Sequence, residues 1–113
     1  MKIYIAGPLT TNPDETFHRD SDIFDKNVRF ATAIALKLIK MGHTPYIPHR
    51  HIGGLEGDLT YDVIMNIHAT FIKHWADALF FIGPSRGSNI ELREAEKKGI
   101  PVFTSMEQVP KET

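Results

Sequence analysis

The chain has 113 residues, 42% of them hydrophobic and 24% charged, with a net charge of -1 and no cysteine. That length suits one domain with a single core, and the balanced charge leaves no basic excess with which to neutralise a nucleic-acid backbone. Without cysteine there is neither a disulfide framework nor a thiol nucleophile.

Lys2 to Ala6, KIYIA, is a short apolar run closed by Gly7-Pro8, and predicts a buried strand feeding a loop. Residues 9–22 are polar and rich in turn formers, and predict a long loop. Helical periodicity begins near Ile23, with Val28, Ala31, Ala35, Leu38 and Ile39 marking one face and Gly42 as the stop. Thr44 to Ile47 predicts a second strand, ended by Pro48, and HRHIGGLEGD predicts a glycine-rich loop. A second helix is expected from about Thr60 to Trp75, with Ile64, Ile67, Phe71 and Trp75 as its apolar stripe. ADALFFIG then reads as a continuous apolar strand, with Asp77 as a turn residue at its start. A third helix is expected from about Asn89 to Lys98, closed by Gly99. IPVFT follows as a fourth strand, then a helical turn near Met106 to Val109.

Alternating strands and helices, with strands too apolar to be half exposed, predict an α/β fold: a doubly wound, flavodoxin-like parallel sheet of four or five strands with helices on both faces. The expected order is 2-1-3-4, and such sheets bind ligands beyond the carboxyl ends of the strands, at the switch point. Gly7-Pro8-Leu9-Thr10 and Gly83 to Ser88 are the loops at that point. No apolar run approaches the roughly 18 residues of a membrane span, and no signal peptide precedes MKIYIAG. A cytoplasmic protein with no membrane and no nucleic-acid partner is expected.

The loop Gly83-Pro84-Ser85-Arg86-Gly87-Ser88 enters a helix N-terminus and suits an anion, whether phosphate, carboxylate or sulfate. An ordinary strand-to-helix turn with Ser88 as N-cap explains it equally well locally. Ser88 and Glu91 have capping-box spacing, so Glu91 is either a structural carboxylate or one that projects into the cleft. Tyr4 is either a core ring or a hydroxyl within reach of that carboxylate. His49 and His51 flank Arg50 and are a weak metal signal without a third ligand; lining a pocket suits them better. His68 lies on or beside the apolar stripe of its helix, as a core histidine or as a proton exchanger facing the cleft.

KIYIAGP, the ADAL of residues 76–79, and above all PSRGSNIEL of residues 84–92 running on through Ala95 and GIPV resemble the nucleoside 2-deoxyribosyltransferase family, which includes 2'-deoxynucleoside 5'-phosphate N-hydrolases. These stretches span most of the chain; the middle third matches only in helix and strand order. The resemblance implies that Glu91 is the nucleophile of a retaining reaction, forming a glycosyl-enzyme ester that water or a second base resolves, with Tyr4 holding it. Gly7, Pro8, Ser85, Arg86, Gly87, Ser88 and His49 are then the substrate-binding residues. Six positions before the nucleophile, family members acting on free nucleosides resemble one another in an aspartate, and nucleotide hydrolases in a phosphate-binding serine. Ser85 stands here, which points to a (deoxy)nucleoside 5'-monophosphate as substrate.

The chain departs from the family where an aspartate that assists base departure is expected eight residues before Asp77. Ala69 occupies that place, and His68 is the alternative acid. The family's properties further imply a homodimer or larger homo-oligomer and neither metal nor organic cofactor. Base transfer in place of hydrolysis, and a non-catalytic nucleotide-binding or sensor module, stay open as alternatives.

Overall fold

The computed structural model describes residues 1–8, 21–51 and 59–111, except that the side chains of residues 21–24, His49 and His51 are outside the description. In chain order the elements are β1 (Lys2–Ala6), α1 (Ser21–Lys40), β2 (Thr44–Tyr46), α2 (Pro48–His51), α3 (Tyr61–His74), β3 (Ala78–Phe81), α4 (Arg86–Lys98) and β4 (Val102–Phe103), then a 3-10 turn at Met106–Gln108. The strands form one four-stranded sheet in the order β2-β1-β3-β4, as the alternation of elements predicts. Every pairing is parallel, with Tyr4 opposite both Tyr46 and Leu79.

β1 is central and buried from Ile3 to Ala6, which is why it is almost wholly apolar. Its residues alternate between two cores. Ile3 and Ile5 pack with Ala78, Phe80 and Phe103 and with Ala31, Ile34, Ala35 and Leu38 of α1. Tyr4 and Ala6 pack with Leu79, Ile72 of α3 and Ala95 of α4. Successive strand side chains point to opposite faces, so these cores lie across the sheet from each other.

Several boundaries differ from those the sequence predicts. The first helix starts at Ser21, two residues before Ile23, so Ser21 and Asp22 are helical and not loop. Residues 9–20 of the expected loop lie outside the described residues. Ile39 is 54% exposed, and Ile34 takes its place in the core, because a residue next to Leu38 is turned about a hundred degrees away from it. Residues 48–51 form one helical turn where loop was expected. On α3 the buried stripe is Ile64, His68 and Ile72: Ile64 is buried as expected, and His68 and Ile72 take the places expected for Ile67 and Phe71. Gly42 and Gly99 end their helices with positive φ, as their stop positions require. Among the described residues no helix is long and apolar enough to cross a membrane.

Candidate functional site at the carboxyl ends of the central strands

The parallel order brings the end of β1, the loop from Ile82 to Ser85 and the start of α4 to one edge of the sheet. Ile82 N–H donates to the Ala6 carbonyl at 2.7 Å, continuing the β1–β3 pairing past the last strand residue. Gly7 follows, and a Cβ built there would lie 2.9 Å from the Ile82 Cβ, so the close approach of the two chains requires glycine. Pro8, half-buried, is the last described residue of this segment.

α4 begins one turn earlier than the sequence predicts. Ser85, not Ser88, is its N-cap, and the Ser85 hydroxyl oxygen accepts the Ser88 N–H at 3.0 Å. The Ser88 hydroxyl donates to the Gly83 carbonyl at 2.8 Å and lies 2.7 Å from the Ser85 oxygen. With its one proton directed to Gly83, Ser88 accepts the Ser85 O–H, and the two hydroxyls form a chain. Ser88 is thus the third helical residue, held by the cap. The earlier start also removes Glu91 from capping-box spacing, since it stands a further turn into the helix.

Glu91 instead turns inward. It is 4% exposed, and its Oε2 accepts the hydroxyl of Tyr4, itself completely buried on β1. Side chains on a helix lean toward its N-terminus, which carries a second-turn residue back over the strand ends. His68, on the face of α3 that packs on α4, is 6% exposed and brings Nδ1 to 3.4 Å from the same Oε2. The Tyr4 and His68 rings meet edge to face at 6.3 Å. Among the described residues these two contacts both fall on Oε2, and Oε1 takes no hydrogen bond.

Burial dominates the electrostatics. It pushes Glu91 up to about 8, against the smaller opposing effect of the Tyr4 hydrogen bond. Tyr4 is raised well above the ordinary tyrosine value, first by burial and then by the neighbouring Glu91 charge. Tyr46 is pushed up to about 12, again by burial and then by Glu91. Tyr46 stands beside Tyr4, their ring centroids 5.4 Å apart, and stacks on Phe71 of α3 at 4.2 Å. Sequence reasoning passed over Tyr46. The available signal was its place at the end of β2, which the expected strand order sets next to Tyr4.

The remaining predicted residues are distributed around this centre. Arg86, the first residue of α4, is exposed and holds its guanidinium 4.5 Å from the centre of the Tyr61 ring. Gly87 faces Met65 and Tyr61, with room for a methyl group at ordinary contact distance. His49 falls in α2, and its side chain is outside the described residues. Ala69 is next to His68 on α3 and half-buried. Asp77 lies at the other edge of the sheet, where its Oδ2 accepts the Lys2 N–H at 2.9 Å, in keeping with a turn role. No family model matches the chain, and no curated protein matches it.

A buried carboxyl held by a tyrosine hydroxyl, its second oxygen without a hydrogen bond among the described residues and an imidazole alongside, has the groups that nucleophilic attack coupled to proton transfer needs. A structural carboxylate would gain more from a permanent cation or from the backbone amides of the helix start; among the described residues the basic group beside Glu91 is the His68 imidazole.

Proposed function

We propose that the protein cleaves the N-glycosidic bond of a (deoxy)nucleoside 5'-monophosphate through a covalent ester on Glu91, with water as the acceptor. The observation that carries this reading is the inward Glu91 carboxyl fixed by Tyr4 at the switch point of the sheet. An oxocarbenium-like centre needs an ionised oxygen close to the anomeric carbon and protected from water. Tyr4 restrains Oε2, which leaves Oε1 to attack. The tyrosine also favours the carboxylate form against the burial that opposes it. The resemblance of PSRGSNIEL and KIYIAGP to nucleoside 2-deoxyribosyltransferases supports the same chemistry.

The 5'-phosphate is assigned to the start of α4. Ser85 there caps the helix through its oxygen, so its O–H can swing from Ser88 to a phosphate oxygen while the cap persists. The first amides of the helix and the exposed Arg86 add donors and positive charge. A carboxylate at this position would repel the phosphate. Neither metal nor organic cofactor enters the reaction, and the expected assembly is a homodimer.

The test is to incubate the protein with the common nucleosides, deoxynucleosides and their 5'-monophosphates, with and without a second free base, and to quantify base release. Release from monophosphates is expected, abolished in Glu91→Ala and weakened for monophosphates in Ser85→Asp. Transfer to an added base would favour the deoxyribosyltransferase alternative. Binding without any release would favour a nucleotide-binding module, and full activity in Glu91→Ala would refute the nucleophile.

A further inference from the structure

We infer that His68 and Glu91 work as one proton-exchanging pair, in which the proton that must leave Glu91 before attack is the proton that His68 supplies to the departing base. This deepens the proposed function and rests on it for the catalytic part. The geometric basis is that Nδ1 of His68 and the hydroxyl of Tyr4 converge on a single oxygen of Glu91, in a site where both ionisable partners are almost fully enclosed.

A carboxylate alone in such a place is costly, and so is an imidazolium alone. The pair avoids both costs, because a neutral acid beside a neutral imidazole and a carboxylate beside an imidazolium have the same total charge. Passing one proton across the 3.4 Å gap interconverts them. The gap is slightly longer than a hydrogen bond, and ligand-free sites often close such distances on binding. Among the described residues the other titratable groups coupled to Glu91 are Tyr4 on β1 and Tyr46 on β2, and both stay neutral through the physiological range because burial and Glu91 raise them. β3 contributes only the apolar Ala78–Phe81. Among the described residues the proton therefore has two sites to choose between, Glu91 and His68.

The steps balance. The Glu91 proton moves to Nδ1, giving carboxylate and imidazolium. Oε1 bonds to the anomeric carbon as the bond to the base nitrogen breaks, and that electron pair takes up the Nε2 proton of His68. The neutral ring now donates Nδ1–H to Oε2, the carbonyl oxygen of the ester. Water then loses a proton to Nε2 and its oxygen bonds to the anomeric carbon. The ester bond breaks with its pair on Glu91, leaving carboxylate beside imidazolium, and return of the Nδ1 proton to Glu91 restores the starting neutral pair. The histidine thus takes over base protonation where Ala69 supplies no carboxyl.

Two measurements on the full chain test this. In the first, imidazole nitrogen shifts of His68 are followed against pH by NMR in wild type and Glu91→Gln. The expected result is a His68 midpoint lower by roughly one pH unit or more in the variant, since the anionic partner is gone. Should Glu91→Gln fail to fold, the wild-type carboxyl carbon of Glu91 and the His68 nitrogens must show the same pair of midpoints. Unlinked titration overturns the inference. In the second, His68→Gln is compared with wild type on nucleoside monophosphates carrying natural bases and on one with an acidic leaving group that departs without a proton. A loss of about 100-fold is expected for natural bases and a distinctly smaller one for the activated base, whose turnover still draws on His68 to take the Glu91 proton and to activate water. Equal loss on both would overturn the acid role. If the wild type releases no base while the titrations are linked, the glycosidase reading fails and the shared proton stands.

Discussion

At Glu91 the fold keeps a carboxyl where its charged form is disfavoured, and stability follows from that. Unfolded, the group ionises near the ordinary 4.5; folded, it holds its proton up to about 8. Between those values the folded chain binds more protons than the unfolded one, so this contribution is complete below about 4.5 and is lost as pH rises through 8. Glu91→Gln, which stays neutral, should be more stable than wild type at pH 8 by on the order of 4 kcal/mol, and about equal to it at pH 4. Denaturant melts at the two pH values check this, and equal stability at both would contradict it. Tyr4→Phe removes the one hydrogen bond that lowers Glu91, so the acidic limb of the rate profile should move to higher pH. Its rate should fall by about 100-fold through loss of alignment. Of these residues Glu91 and Tyr4 were legible as a pair from motif resemblance. His68 was legible only as a choice between core and cleft, because helical periodicity cannot say what a buried histidine meets across the helix interface.

α4 shows how a one-turn error in an element changes the meaning of a residue. Ser85 and Ser88 are both good N-caps, and S-x-x-E spacing favours Ser88, so the local pattern assigns Glu91 to a capping box. The backbone instead starts the helix at Arg86, and Ser85 accepts the Ser88 amide. Glycine at position 87 is a poor helix former, which is why sequence reasoning left that turn in the loop. Ser85→Ala should cost about 1 kcal/mol of stability, as loss of an N-cap does, measurable as a lowered denaturation midpoint. At the far end of the same helix, Lys98 reaches over to α3 and donates to the Ile72 and Ala76 carbonyls at 2.9 and 2.7 Å. It satisfies groups that a helix end leaves open, and its charge suits the helix dipole there. Lys98→Met should cost about 1 kcal/mol while leaving base release unchanged. A stability change within error would show that water replaces the lysine without loss.

For the whole molecule, the sheet order was legible because alternating strands and helices, apolar strands and right-handed crossovers leave few arrangements. Once β1 and β3 are neighbours, the conserved direction of parallel strands puts Gly7, Ser85 and Glu91 at one edge. What the sequence could not supply is the closeness of that edge: Gly7 faces the Ile82 Cβ, a contact between residues far apart in the chain. Gly7→Ala should force the strand ends apart, costing about 1 to 3 kcal/mol and misaligning Tyr4 with Glu91, so stability and rate fall together. The central claim, that Glu91 takes up the sugar, is tested most directly by quenching the protein in acid during turnover of a nucleoside 5'-monophosphate and mapping any adduct by mass spectrometry. A sugar-phosphate ester on Glu91, absent in Glu91→Gln, is the predicted result. Base release that persists in Glu91→Gln, with no adduct on the wild type, would contradict it.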